Sequence, residues 1–79
     1  MEDRGFLMIF GENLRKHRLK KGLSYRKLAQ RCNVEYTHIR KIERGLVSIQ
    51  LLTILELAKG LNIHPKELFD FKFDKKLIG

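Results

Sequence analysis

Between positions 36 and 44 the chain sets Tyr36, Thr37, His38, Arg40, Lys41 and Arg44 around two isoleucines, Ile39 and Ile42. On a helical wheel the isoleucines share one side. Thr37, Arg40, Lys41 and Arg44 take the opposite side, with Tyr36 at its edge and His38 on the flank. The outward row is made of permanent cations and hydroxyl groups, which donate hydrogen bonds. Acceptors suited to such a row are phosphate oxygens and base edges in the major groove. Arg and Lys donate to guanine O6 and N7, and Thr offers its hydroxyl or packs its methyl group against thymine. A second polar set, Ser24, Tyr25 and Arg26, lies upstream. A plain solvated basic face is the competing reading of these residues.

Catalysis and metal binding find little footing. Glu12, Glu56 and Glu67 fall in different segments, no nucleophile stands beside a base, and no Gly-rich phosphate loop is present. His17, His64 and Cys32 lack zinc-ligand spacing. No enzyme activity, cofactor, metal or small-molecule ligand is expected. The single cysteine allows no internal disulfide and reads as a small core residue in a reducing compartment. Phe6, Phe10, Phe69, Phe71 and Phe73 read as core rather than as stacking platforms.

Charge supports a polyanionic partner. Lys and Arg total 17 against 9 Asp and Glu, a net charge of +8. Its distribution is lopsided: residues 13–44 hold eleven basic and two acidic residues, whereas 45–79 hold five lysines against four acids. A one-sided cationic field captures polyanions, and DNA rewards each neutralised phosphate by releasing a condensed counterion. At 79 residues the chain suits one domain, with a core about 8–71 and flanks 1–7 and 72–79 that are frayed or dimer-forming. A domain this small buries only about 60% of its unfolded surface, so a partner subunit would help it. The apolar run Phe6–Phe10 is short and follows Glu2 and Asp3, unlike a signal peptide, and nothing approaches a membrane span. A cytoplasmic, nucleoid-associated location and no membrane contact are expected.

The elements that must position these residues are helices, since apolar spacing is helical throughout and no run alternates like a strand. The pattern predicts five: roughly 8–21, 25–32, 36–44, 50–60, and one beginning at Pro65. In the first, Phe10, Leu14 and the stem of Arg18 share a face, and Gly22 after Arg18, Lys20 and Lys21 is a fitting stop. Ser24 is the N-cap of the second, whose Leu28, Ala29 and Cys32 face inward. Asn33 suits a left-handed turn. The fourth carries an apolar stripe of Leu51, Ile54, Leu55, Ala58 and Leu61. Pro65 suits a first helical position, Glu67 follows His64 as in a capping box, and Leu68 and Phe69 are expected to plug the core. Phe73, Leu77 and Ile78 sit among lysines in the tail.

Helices two and three, separated by Asn33-Val34-Glu35, make a helix-turn-helix, whose second helix enters the major groove. The stretch NLRKHRLKKGLSYRKLAQRCNVEYTHIRKIERG resembles the Cro/CI-type phage repressors, or XRE family. LLTILELAKGLNIHPKELF resembles that family's fourth and fifth helices. The resemblance spans roughly residues 10–71. It rests on Leu23, Ser24, Leu28 and Ala29, then Ile39, Ile42, Glu43, Arg44 and Gly45, then a leucine-rich helix. It implies an all-α, five-helix, lambda-repressor-like DNA-binding domain.

The resemblance also implies roles. Tyr25, where the family usually has Gln, and Arg26 contact phosphate at the start of helix two. Tyr36, Thr37, Arg40 and Lys41 are the recognition positions. Arg18 and Glu43 form a buried or half-buried ion pair between helices one and three. Glu35 replaces the usual Ser or Asn and reads as a cap rather than a base contact. His38 is a phosphate contact or a solvated flank, and Arg44 a DNA contact or a partner for the helix C-terminus. The segment 46–50 lacks the basic residues often found there. Backbone N–H groups at the start of helix four could take phosphate, or Leu46 and Val47 could pack at a dimer surface or beside the sugar-phosphate.

The expected function is a sequence-specific transcriptional regulator of double-stranded DNA. It acts as a homodimer on a pseudo-palindromic operator with half-sites about 34 Å apart. Without an effector domain, protein concentration would control it, as in restriction-modification controllers or short phage and plasmid repressors. The dimer surface is expected on helix four, helix five, the Phe71–Ile78 tail or the Phe6–Ile9 turn. The alternatives are an antitoxin that neutralises a partner protein and represses its own operon, and an interaction module that has lost DNA binding.

Overall fold

The computed structural model describes residues 3–73. The chain runs through α1 (Arg4–Lys20), α2 (Tyr25–Gln30), α3 (Tyr36–Glu43) and α4 (Leu51–Leu61), then a 3-10 helix, Pro65–Phe69. Among the described residues there is no strand. One core unites the helices: Phe10 and Leu14 of α1, Leu28 of α2, Val34 of the turn, Ile39 and Ile42 of α3, Ile54, Leu57, Ala58 and Leu61 of α4, and Leu68.

Four α-helices therefore stand where five were expected. The last element is a single 3-10 turn of five residues. So short a segment cannot offset the cost of nucleating an α-helix by itself. It is fixed by a capping box at its start and by a contact from α1. His64 Nδ1 accepts from Lys66 N at 3.1 Å, and Glu67 Oε2 accepts from His64 N at 3.0 Å. Asn13, buried in α1, donates its side-chain amide to the carbonyls of Glu67 and Leu68, both at 3.0 Å. Leu68 is buried, but Phe69 is exposed on one side while its ring leans on Phe10 at 5.1 Å.

Helix α1 starts four residues earlier than the apolar spacing suggested. Its first turn is held by distant aromatic rings: Phe6 meets Phe71 at 5.8 Å and Phe73 at 5.0 Å between centroids. Phe6 and Phe71 thus pack against each other within this chain, each half-buried. Leu77 and Ile78, considered for the dimer surface, lie outside the described residues.

Helix termini use one device three times. After α1, Leu23 N donates to Arg18 O at 3.1 Å and Gly22 N to Leu19 O at 2.9 Å, with Gly22 at φ +70°. Gly45 closes α3 in the same way, and Asn62, at φ 57°, closes α4. This paired pattern satisfies carbonyls that a helix end leaves open, and its left-handed residue suits Gly or Asn. Asn33 was expected to be left-handed and is not. Its N–H is instead bound by Glu56 Oε1 of α4 at 3.1 Å, which ties the turn down.

Helix α4 buries a different stripe from the expected one. Leu57 is fully buried beside Ile54, Ala58 and Leu61, whereas Leu51 and Leu52 are 79% and 73% exposed and Leu55 is also exposed. The helix is apolar nearly all round, so the wheel alone could not choose its inner side.

Candidate nucleic-acid interface

Two short helices carry the candidate site. Ser24 caps α2, its hydroxyl accepting from Lys27 N at 3.1 Å, and so presents Tyr25 and Arg26 on the first turn. Helix α2 stops at Gln30, earlier than expected, which leaves Cys32 in the turn with Sγ donating to Leu28 O at 3.3 Å. Burial pushes that thiol's pKa up, which keeps it neutral. Val34 sinks into the core and reverses the chain into α3.

On α3, Ile39 and Ile42 are 0% and 1% exposed. Tyr36, Thr37, His38, Arg40, Lys41 and Arg44 are all exposed. Helix α3 sits so close to α1 that a Cβ on Gly11 would overlap the carbonyl oxygens of Ile42 and Glu43. Backbone lies directly against side-chain-free backbone, so the inner side of α3 has no slack.

The second fastening is electrostatic. Arg18 Nε donates to Glu43 Oε2 at 2.7 Å and Nη2 to Oε1 at 3.0 Å, a two-pronged pair with both side chains buried. The third prong, Nη1, donates to Leu23 O at 2.8 Å. The flat face of the guanidinium lies 4.1 Å from the centroid of the Tyr25 ring. Hydrogen bonding to Glu43 raises the Arg18 pKa against the opposing effect of burial, so the cation persists. One side chain of α1 thereby positions α3, the loop before α2, and Tyr25.

Tyr25 is half-buried by that stack. Its neighbour Arg26 reaches across the turn to Tyr36, Nη2 donating to the phenol oxygen at 3.3 Å with the guanidinium 4.3 Å from the ring centroid. Arg40, Lys41 and Arg44 make no ion pair among the described residues. Glu35 holds the N-cap position of α3, but its side chain makes no capping hydrogen bond. It thus occupies the cap position expected of it, as an exposed residue. The segment 46–50 exposes Leu46, Ser48 and Gln50 and half-buries Val47 and Ile49.

The two ring–guanidinium stacks and the structural roles of Asn13 and Glu56 had no periodicity to announce them. The only clue to the stacks was an aromatic residue at a site-bearing position, 25 or 36, in an arginine-rich stretch.

The arrangement is a scaffolded row of donors beside a second short helix with its own donors. A helix-turn-helix family model (HTH_3) matches residues 14–68. The chain belongs to that family. It is 40% identical over 65 residues to control protein C.BamHI of Bacillus amyloliquefaciens, covering 81% of this chain and 80% of the relative. Among solved structures it is similar to the restriction-modification controller protein C.AhdI of Aeromonas hydrophila. The identity there is 38% and the TM-score 0.83, over 87% of this chain and 100% of that one. It is also similar to the controller protein C.Esp1396I, solved as a tetramer in complex with its natural 35 base-pair operator. That match has 28% identity and a TM-score of 0.74, covering 81% and 84% of the two chains.

Proposed function

We propose that this helix-turn-helix chain is a transcriptional regulator of the controller type, binding a pseudo-palindromic duplex operator as a homodimer. Helix α3 of each subunit enters a major groove. Tyr36, Thr37, Arg40 and Lys41 supply sequence preference. Ser24, Tyr25, Arg26 and His38 meet the phosphate backbone, and Arg44, at the C-terminal end of α3, adds a cation to it. The observation that carries the reading is the division of α3: isoleucines wholly inside, a clear cationic row wholly outside. The controller relatives, one of them solved on its operator, add support from outside this chain.

A second copy of the chain is the fitting occupant of the exposed leucines of α4. Leu51, Leu52 and Leu55 fall within about 100° on the helical wheel, with Leu51 and Leu52 largely exposed. Apolar surface of this kind gains about 25 cal/mol per Å² on leaving water. A two-fold pairing there also sets two copies of α3 at a fixed spacing. Residence with the DNA in the cytoplasm follows from this role.

Selection of bound sites from random duplex DNA, followed by mobility shifts at several salt concentrations, tests the proposal. The expected result is an inverted-repeat site bound about 10³-fold or more tighter than random DNA, with affinity falling steeply as salt rises. Equal affinity for all sequences would overturn it.

A further inference from the structure

Arg26 and Tyr36 sit at the openings of α2 and α3 and are joined twice, by the stacked guanidinium and by the hydrogen bond from Nη2 to the phenol oxygen. The join has a direction. Arginine has no acceptor, so in this contact the tyrosine oxygen accepts and its own O–H must point elsewhere. Both residues are exposed, so the contact contributes little to folding. What it does fix is the hydrogen-bonding sense of an aromatic residue at the leading edge of the reading helix.

We propose that Arg26 is a specificity-positioning residue. By occupying the acceptor side of the Tyr36 hydroxyl, it presents Tyr36 to the groove as a donor. The base step facing Tyr36 is then selected for an acceptor edge (guanine O6 or N7, adenine N7, thymine O4) and against the cytosine amine, which can only donate. Arg26 is exposed, and its remaining N–H groups suit a phosphate. One arginine thus couples backbone register to the reading of a base that it does not touch. The sharpness gained comes from pre-organisation, since Tyr36 need not give up a freely rotating ring and hydroxyl on binding.

The inference rests on the DNA-reading proposal above, and one experiment separates the two. Wild type, Arg26→Ala, Tyr36→Phe and the double variant are each taken through selection on random duplex DNA. Thermal melts are expected to coincide, as befits surface residues. Tyr36→Phe should erase the acceptor-base preference at one position of each half-site. Arg26→Ala should weaken the same preference several-fold at that same position, and the double variant should be no broader than Tyr36→Phe alone. Salt titrations should show Arg26→Ala losing about one phosphate contact as well. An Arg26→Ala profile that superimposes on wild type, at lower overall affinity, would reduce Arg26 to a backbone contact and overturn the inference while leaving the DNA-reading proposal intact. Broadening at a position other than that of Tyr36 would overturn it too. If the wild-type chain enriches no sequence at all, the DNA-reading proposal fails and this inference falls with it.

Discussion

Helices α3 and α4 are both one-sided, and each leaves half of its surface outside the core. On α3 the remainder is Thr37, Arg40, Lys41 and Arg44; on α4 it is Leu51, Leu52 and Leu55. The two remainders call for opposite partners. A cationic row loses hydration without return unless it meets acceptors, and an apolar row gains only by leaving water. The inner sides differ as well. Helix α3 adds to its buried Ile39 and Ile42 a backbone contact at Gly11 and the Arg18–Glu43 pair, whereas α4 rests chiefly on Ile54, Leu57, Ala58 and Leu61, with one hydrogen bond from Asn33 to Glu56. The added directional contacts of α3 fix its angle on the body.

Four variants test that contrast. Glu43→Lys should have the largest effect, because it leaves Arg18 buried without its partner and adds a like charge. Losing one member of a buried pair costs about 3–5 kcal/mol, so the melting temperature should fall by more than about 10 °C. An unchanged melting curve would remove Arg18 as the fastening of α3. Replacing Leu51 and Leu52 together with lysine should leave helical content intact yet abolish the dimer, at a loss of about 3–6 kcal/mol from two leucine side chains. Sedimentation would read it, and a surviving dimer would place the pairing surface elsewhere. Arg40→Ala should cost about 1–3 kcal/mol in operator binding and relax one base position. An equal loss on every sequence would make Arg40 a backbone contact. Tyr25→Phe should have the smallest effect, about 0.5–1.5 kcal/mol, with unaltered sequence preference. The ring over Arg18 survives that change and only the hydroxyl is lost. A shifted base preference would count against a phosphate role for Tyr25.

Much of this was legible before any coordinates. The division of α3 into isoleucines and cations followed from helical spacing, because polar and apolar residues there alternate cleanly with the turn. The Ser24 cap and the Gly22 stop were legible because each position needs a particular residue type. Helix α4 was harder: with leucine or isoleucine on every side, periodicity could not tell Leu57, which is buried, from Leu51 and Leu55, which are not. The first turn of α1 was missed because Phe71 and Phe73 stabilise it from the far end of the chain. The 3-10 turn was read as a helix because its cap and proline were right, while its length and its dependence on Asn13 were invisible. Contacts between exposed side chains, such as Arg26 with Tyr36, depend on rotamers that no pattern encodes.

Gly11 has one more implication. Because α1 and α3 meet backbone to backbone there, the angle at which α3 leaves the body does not depend on what residues 37, 40 and 41 happen to be. The outward positions can then be exchanged for other side chains at little expense to folding. Under the proposed reading role of those positions, a lineage, or an engineer, could retarget the chain to a new operator by changing a handful of letters on one mount, provided position 11 stays bare.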